Sequence, residues 1–367
     1  MKNQSITEAM LQFIEESPTA FHAAANVEAL LLENGFEKLE NLEEGALVPG
    51  GSYYTMQNGS AVLAVKIPEN PTKGFRIAAS HSDSPCFKIK EVPEMKVENT
   101  YVKLNVEKYG GMILSPWLDR PLSVAGRVFV AGKDGKPEAK LVNLKKDLLI
   151  IPNVAIHFNR EINNGFAYNP QTDMAPLMGL DQELSIKKLC AEAAGVAEEE
   201  ILGSDLYVYN RDKGRIMGAD DSLIGSPRLD DLQCAYATLH GFLASKPEEF
   251  ISVYALFDNE EVGSGTKQGA DSTFLEEFLE IVLENVYPDK NRLWKRSFYQ
   301  NSFLLSADNG HAVHPNHPEK TDAENCTYLN KGVVIKFSAN QKYTTDAISS
   351  AVFSRICEQA GVPVQHF

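Results

Sequence analysis

Three short apolar segments of the sequence each run into side chains that can bind a metal ion. They are residues 75–79, 250–257 and 303–306, followed respectively by His81 and Asp83, by Glu260 and Glu261, and by Asp308. If they are neighbouring parallel strands of an open α/β sheet, their carboxyl ends meet at one edge, where such sheets form their sites. Asp230 begins an apolar helical segment that would bring it to the same edge. We therefore predict a metal site there.

The adjacent carboxylates Glu260 and Glu261 are the hardest to explain without a bound cation. Two neighbouring carboxylates near the end of an apolar strand repel each other unless positive charge lies beside them. A pair of divalent ions supplies that charge, with one glutamate binding metal and the other acting as a base. The spacing of His81 and Asp83 similarly suits a metal-bound imidazole oriented by a carboxylate. Taken singly, each motif also fits an ordinary turn or helix cap.

The other histidines have less specific surroundings. His311, His314 and His317 would share one helix face, but the prolines between and after them exclude a regular helix. A loop with one substrate-contacting histidine is the simpler interpretation, and three ligands of one metal ion is the alternative. His157 stands among apolar residues, where a hydrogen-bonded core histidine is the alternative to a functional one.

The elements around these motifs indicate an α/β fold. Residues 1–92 and 216–367 alternate apolar strands with helical segments, which is typical of a mostly parallel sheet sandwiched by helices. Residues 93–215 are instead β-rich, with a strong hairpin turn at residues 132–135, an extended run over residues 148–156 and one helix over residues 181–194. We predict a catalytic domain in two parts, interrupted by an inserted β-rich domain.

Composition and charge exclude several kinds of partner. The 367 residues carry a formal net charge of −15 without a lysine or arginine block, so we expect no nucleic-acid partner. No segment approaches the ~18 consecutive apolar residues of a membrane span, so we expect no membrane partner. Five scattered cysteines and the absence of a signal-peptide pattern predict a cytoplasmic protein with reduced thiols.

Six longer motifs, taken in order, resemble the aspartyl aminopeptidase family of co-catalytic zinc aminopeptidases. They are HSDSP at 81–85, IHFNREIN at 156–163, SPRLDDL at 226–232, DNEEVGSGTKQGA at 258–270, SADNGHAVHPNH at 306–317 and IKFSANQKYTTD at 335–346. The similarity covers essentially the whole chain, and this many motifs in the same order are highly specific. It implies a fold of the zinc-exopeptidase type, in which the inserted domain supplies dimer contacts.

The resemblance also implies a site with two divalent metal ions per chain. Zinc suits mixed imidazole and carboxylate ligands, with cobalt or manganese as alternatives. The implied ligands are His81, Asp230, Glu261 and Asp308, with Asp230 bridging both ions. Glu260 would be the general base, Asp83 the carboxylate behind His81, and His311 a substrate contact. His157 would reach a neighbouring subunit's active site and contact substrate or, as the alternative, metal.

The implied reaction is removal of the N-terminal residue from peptides by a metal-activated water. The family prefers an acidic N-terminal residue in many members and accepts neutral ones in others. Because a chain of net charge −15 repels acidic peptides, acidic selectivity needs a local cation, and Lys336 and Lys342 are the candidates, ordinary surface lysines being the alternative. The family assembles from dimers into tetrahedral dodecamers, so peptides and further copies of the chain are the implied partners.

Family members continue for several tens of residues beyond the segment that matches residues 361–367. That tail carries a histidine completing the second metal site, and we expect the present sequence to lack it, with natural loss of the second site as the alternative. Two other functions stay open: a related metallopeptidase or deacylase of broad specificity, and a non-catalytic assembly protein that keeps the fold with incomplete metal sites.

Overall fold

The computed structural model describes residues 3–39 and 47–367, with side chains from Ile6 onward. The chain divides after Asp308 into two compact units. The helices of the first unit are α1 (Asn3–Glu16), α2 (Ala20–Glu33), α3 (Ile186–Ala194), α4 (Leu229–Ala244), α5 (Phe274–Val286) and α6 (Arg292–Gln300). Its strands are β1 (Glu37–Lys38), β2 (Ser52–Gln57), β3 (Ala61–Lys66), β4 (Gly74–His81), β5 (Cys86–Val97), β6 (Tyr101–Tyr109), β7 (Leu122–Ala131), β8 (Pro137–Asn143), β9 (Leu177–Gly179), β10 (Gly203–Asn210), β11 (Arg215–Met217), β12 (Leu223–Gly225), β13 (Phe250–Phe257) and β14 (Phe303–Ser306).

The first large sheet has the strand order β1-β2-β3-β13-β4-β14. The three strands that carry the candidate site are parallel neighbours: β13 pairs Phe257 with His81 of β4, and β14 pairs Ser306 with Ala79. Three of the five strand pairs are parallel, and the two antiparallel pairs both involve β3. The sheet is thus mixed, and the three predicted site strands end together at one edge.

Apolar helices cover both faces of this sheet and make the predicted α/β sandwich. Helices α1, α2 and α4 pack on one face, in a buried cluster that includes Ile14, Leu31 and Leu239. Helices α5 and α6 pack on the other face, where Phe278 and Phe298 are almost fully buried. Each such side chain contributes about 1.5–3 kcal/mol when removed from water, so the two layers hold the sheet firmly. The predicted α/β class is confirmed.

The second large sheet is antiparallel and has the strand order β8-β7-β10-β5-β6-β9. The predicted hairpin is present, since β7 and β8 are joined across a turn closed by the Gly132 amide on the Lys136 carbonyl. Residues 148–156 form only isolated bridges, at Leu149, Ile150 and Ile151, instead of a strand. Strand β5 spans the boundary predicted between residues 92 and 93.

Arg127 of β7 joins the two large sheets. Its guanidinium pairs with Asp205 of β10 at 2.9 Å and donates to the backbone carbonyl of Asn58, in the turn between β2 and β3. The same group lies 4.0 Å from the ring centroid of Phe21, at the start of α2. One mostly buried side chain therefore ties the β-rich insertion to the helices and the first sheet.

The second unit, residues 309–367, contains a two-stranded parallel sheet and one helix. Its strands are β15 (Val333–Ile335) and β16 (Val364–His366), and its helix is α7 (Ala347–Ala360). Asp346 caps α7 by accepting from the Ser349 amide at 2.8 Å, and Gly361 ends it in the left-handed conformation at φ 67°. Among the residues described in either unit, no helix has the length and apolarity that crossing a bilayer requires.

Candidate metal centre

His81 closes β4 and lies at the centre of a ring of carboxylates. Its Nε2 is 3.4 Å from Asp230 Oδ1, 3.9 Å from Asp308 Oδ1, 4.0 Å from Asp231 Oδ2 and 4.0 Å from Glu260 Oε2. Burial lowers the pKa of His81, but bonds to Asp230 and Asp83 and the charge of Asp231 raise it to about 11. The excess negative charge of this pocket therefore attracts a cation.

The other ring nitrogen of His81 is held by Asp83. Nδ1 lies 3.1 Å from the Asp83 carbonyl oxygen and 3.3 Å from its Oδ1. A proton on Nδ1 is bonded to these oxygens, which leaves the Nε2 lone pair directed into the carboxylate ring. This is the second-sphere arrangement usual for metal-binding histidines.

Four side chains have ligand atoms close enough to hold one metal ion. Atoms of His81, Asp230, Asp231 and Asp308 all lie within 4.8 Å of one another. Three of these four were predicted from the sequence as ligands, and Asp231 was not. The peptide bond between Asp230 and Asp231 is cis, and both residues have non-helical φ and ψ although they lie in the first turn of α4.

Asp231 is fully buried and its carboxylate is incompletely bonded. Oδ2 accepts the His81 backbone amide at 3.1 Å, whereas Oδ1 has no hydrogen-bond partner among the described residues. Burial raises the pKa of Asp231 to about 7. An orphaned buried oxygen beside an imidazole and two further carboxylates suits a divalent cation, and this donor set is one that zinc accepts. The residues present therefore fit the predicted metal.

Glu260 and Glu261 form a short turn directly after β13. The Glu260 carboxylate is 53% exposed and stands at the rim of the ring, and burial raises its pKa. Glu261 packs close to Gly110, where an added Cβ would lie 3.0 Å from the Glu261 Cβ. Burial and the nearby Asp230 charge raise the pKa of Glu261 to about 7. Glu261 is not in the four-residue cluster found among the described residues, so its predicted role as a ligand stays a prediction.

Asp83 positions the turn of Glu260 and Glu261 in addition to His81. Its Oδ1 accepts the Glu260 amide and its Oδ2 accepts the Glu261 amide, each at 3.2 Å. Oδ2 also accepts the hydroxyl proton of Tyr109 at 2.6 Å. Burial raises the pKa of Asp83, but the bonds from His81 and Tyr109 outweigh it and hold that pKa below its ordinary value. No motif in the sequence pointed to Tyr109, which is the last residue of β6.

A cavity of about 820 Å³ lies beside the cluster. Asp83, Tyr109 and Asp230 form part of its wall, and Phe21 and Trp117 line it with apolar surface. A space of this size beside charged residues is typical of a small-ligand site.

The remaining predicted site residues lie outside the carboxylate ring. His157 lies in an exposed turn of the β-rich insertion. His311 and Lys336 belong to the second unit, where the Lys336 ammonium donates to the Asn309 carbonyl at 2.7 Å and lies 5.4 Å from the Tyr343 ring. Their predicted contacts with substrate therefore remain predictions.

The parallel strands of this α/β sheet bring an imidazole and several carboxylates to one edge, which makes the protein a candidate metalloprotein. Residues 13–367 match the family model of M18 peptidases, described as aminopeptidase I zinc metalloproteases. The chain belongs to this family, which confirms the predicted resemblance and makes it a zinc-dependent aminopeptidase.

Individual relatives agree with this assignment. The probable M18 family aminopeptidase 2 of Clostridium acetobutylicum is 44% identical over 376 residues, which cover 100% of this chain and 86% of that protein. A cryo-EM structure of the Ape4 and Nbr1 complex has a TM-score of 0.94 and 33% identity, covering 99% of this chain and 74% of that one. The mApe1 dodecamer of S. cerevisiae has a TM-score of 0.88 and 25% identity, covering 100% of this chain and 86% of that one.

Proposed function

We propose that this chain removes the N-terminal residue from peptides by hydrolysis at a centre of two divalent ions, zinc by preference. The observation that carries the proposal is the ring of carboxylates around His81 Nε2, with the Asp230 and Asp308 carboxylates within 4 Å and the exposed Glu260 carboxylate beside them. The predicted ligands His81, Asp230, Glu261 and Asp308 would hold the two ions. The unbonded Oδ1 of Asp231 supports a cation at the same place.

The chain's own residues perform the proton transfers. When bound, divalent ions would supply polarisation of the scissile carbonyl and would lower the pKa of a bound water towards neutrality. Glu260 accepts the proton of the attacking water and gives it to the leaving amine, a role that requires a carboxylate at the site that is not occupied as a ligand. Burial raises the pKa of Glu260, a shift in the direction that favours a carboxylate base near neutral pH. Asp83 acts through His81, whose ring it orients.

The ring of carboxylates also accounts for action at a free N-terminus. A protonated α-amino group carries positive charge, which the excess carboxylates attract, whereas a blocked amine carries none. The cavity beside the cluster, about 820 Å³, leaves room for the rest of a short peptide. We therefore expect exopeptidase action on peptides with a free amino group.

Preference for an acidic N-terminal residue rests on a local cation. The formal charge of −15 opposes acidic peptides, so a lysine has to compensate at the site. Lys336 is the better candidate than Lys342, because its half-buried ammonium is held in place by the Asn309 carbonyl. His311, in the same unit, is proposed as a second substrate contact.

The working form is proposed to be an assembly of identical chains in the cytoplasm. One of the similar structures is a dodecamer, and the exposed turn that carries His157 would let this residue reach a neighbouring subunit's site. Dimers through the β-rich insertion, arranged with tetrahedral symmetry, are the expected assembly. All five cysteines are free thiols, which supports a reducing compartment.

Metal analysis combined with a substrate panel tests the proposal. We expect two zinc ions per chain, activity that a chelator abolishes and zinc restores, and hydrolysis of aminoacyl substrates only when the amine is free. Equal hydrolysis of blocked substrates would instead indicate a deacylase or a metallopeptidase of broader specificity. A metal-loaded protein that releases no N-terminal residue from any member of the panel would overturn the proposal.

A further inference from the structure

The hydroxyl of Tyr109 occupies a position between two parts of the candidate site. It donates to Asp83 Oδ2 at 2.6 Å and accepts from Asn259 Nδ2 at 2.8 Å. Tyr109 is the last residue of β6 in the second sheet, whereas Asp83 and Asn259 follow strands β4 and β13 of the first sheet. A single oxygen atom therefore bonds both site-bearing segments to the β-rich insertion.

Asn259 is itself fixed by the loop that follows Glu260 and Glu261. Its Oδ1 accepts from Thr266 Oγ1 at 2.7 Å and from Gln268 Nε2 at 2.8 Å. These two bonds orient the amide so that its Nδ2 donates to Tyr109. Asn259 adopts the left-handed conformation at φ 64°, which asparagine tolerates better than most residues. The loop thus holds the Asn259 amide in the orientation in which it donates to the Tyr109 oxygen.

Asp83 receives the other end of this chain of bonds. Its two oxygens accept two backbone amides of the Glu260 turn, and its Oδ1 lies 3.3 Å from His81 Nδ1. Rotation of the Asp83 carboxylate would disturb the histidine and the glutamate turn together. The Tyr109 bond is short, and a hydrogen bond to a charged acceptor is about twice as strong as one between neutral groups. It therefore resists that rotation.

We infer that Tyr109 is a positioning residue of the metal centre, acting from the β-rich insertion through the Asp83 carboxylate on His81 and on the turn that carries Glu260. This inference rests on the roles proposed above for Asp83 and Glu260. It adds a residue outside the six motifs and gives the insertion a part in building the site of its own chain.

The test compares Tyr109→Phe with Tyr207→Phe. Tyr207 lies on β10, which is separated from β6 by β5 in the same sheet. Its ring packs edge-on against Tyr109 at 5.8 Å between ring centroids, and its hydroxyl is not bonded to Asp83 or Asn259. Removing a second-sphere partner such as Asp83 typically weakens metal binding or activity about 10- to 100-fold, and Tyr109 lies one hydrogen bond further out. We therefore expect Tyr109→Phe to lose zinc affinity by about 10-fold, the lower end of that range, in chelator competition and to lower kcat with KM nearly unchanged. Tyr207→Phe should retain the zinc affinity of the wild type.

Thermal unfolding with and without zinc separates positioning from simple packing. A variant that only loses packing lowers the Tm of the metal-free and zinc-bound proteins equally. A variant with misplaced ligands gains less from zinc, because the stabilisation by a ligand depends on its affinity for the folded state. We expect a smaller zinc-induced rise in Tm for Tyr109→Phe than for Tyr207→Phe.

A double variant tests whether Tyr109 acts through Asp83. Residues in one hydrogen-bond network give non-additive effects, so Asp83→Asn combined with Tyr109→Phe should bind zinc no more weakly than Asp83→Asn alone. Additive losses, or wild-type zinc affinity in Tyr109→Phe, would overturn the inference. Failure of the proposed function is a separate result: the wild type would bind zinc and release no N-terminal residue, and zinc affinity would still report on Tyr109.

Discussion

The backbone amide of Glu260 donates a 3.2 Å hydrogen bond to Oδ1 of Asp83. The carboxylate that orients His81 therefore also sets the start of the turn that carries the proposed base. The Glu260 side chain itself remains 53% exposed at the rim of the site. Its position is fixed through the backbone, while its carboxylate keeps the freedom that proton exchange needs.

Replacing Glu260 with glutamine should remove the base and keep the metal. General acid–base catalysis typically contributes about 10²–10⁴-fold, so we expect kcat of Glu260→Gln to fall by this factor. Zinc content should stay at the wild-type value, because Glu260 is proposed as the base and not as a ligand. Steady-state kinetics and metal analysis check both points, with Glu276→Gln on α5 as the control. Activity near that of the control would show that Glu260 is not the base.

Lys336→Ala should change which peptides are cleaved. If the ammonium pairs with an acidic side chain of the substrate, losing a charged hydrogen bond of about 1.5–3 kcal/mol lowers kcat/KM for acidic substrates by about 10- to 100-fold. Neutral substrates should be little affected. The matched control is Lys331→Ala, an exposed lysine in the same unit. Equal losses on acidic and neutral substrates would contradict the assignment.

Arg127→Met should lower the free energy of unfolding by removing the contacts that Arg127 makes between the two large sheets. The substitution removes one of the two cations of Asp205, which keeps Lys88 at 3.3 Å, and it breaks the bond to the Asn58 carbonyl. Breaking a buried ion pair costs about 3–5 kcal/mol, and because Asp205 is partly exposed and keeps Lys88 we expect about 1–2 kcal/mol in the free energy of unfolding. Urea denaturation measures this cost.

Two further variants make the Arg127 measurement decisive. Adding Asp205→Asn to Arg127→Met removes the second partner of a pair that is already broken, so the double variant should lose less stability than the sum of the two single variants. Arg120→Met breaks a more exposed pair with Asp212, which should contribute only about 0–1 kcal/mol. If Arg127→Met costs no more than Arg120→Met, the guanidinium does not hold the sheets together.

His22 should make the protein sensitive to mild acid. Burial, with a smaller effect of Lys145, lowers the pKa of His22 from 6.5 to about 4, and its Nδ1 lies 2.9 Å from Thr19 Oγ1. Because the folded pKa lies below the unfolded one, the stabilisation is complete above pH 6.5 and is lost as the pH falls towards about 4.

Urea denaturation near neutral pH and near the lower end of that window measures the effect. The free energy of unfolding should fall between these two pH values by on the order of 1–3 kcal/mol less in His22→Gln than in the wild type. Contributions of all other groups cancel between the two proteins. An exposed histidine, His366, provides the control, and His366→Gln should keep the wild-type dependence. If the free energy of unfolding of His22→Gln falls with pH as steeply as that of the wild type, His22 is not the cause of the acid sensitivity.

Much of the first sheet could be predicted because its strands are short apolar runs with clear ends. Strand β13 has the bounds expected from the sequence, and β4 extends beyond residues 75–79 to include His81. The helix expected over residues 181–194 begins only at Ile186, because Ser185 caps it by accepting from Lys188 N. Helix α6 was not predicted, although Asn291 before an amphipathic segment is a recognisable N-cap signal.

Site residues at the ends of strands could be predicted from the sequence, whereas those in other positions were harder to predict. His81 is the last residue of β4 and Asp308 lies two residues after the end of β14, so the pairing of these parallel strands brings the two side chains together. Asp231 was overlooked because a second aspartate at the start of a helix looks like a cap, whereas its carboxylate accepts from His81 N. Tyr109 gave no local signal, since its contact with Asp83 exists only once the two sheets are packed together.

The β-rich insertion leaves and rejoins the first sheet beside the metal centre. The chain passes from His81 and Asp83 into β5 within a few residues, and it returns from β10 through the separate β11–β12 hairpin to Asp230. A rotation of the second sheet against the first would therefore reach the metal-binding side chains through β5, which begins three residues after Asp83. A partner that binds the insertion would in this way change the positions of the side chains that hold the metal.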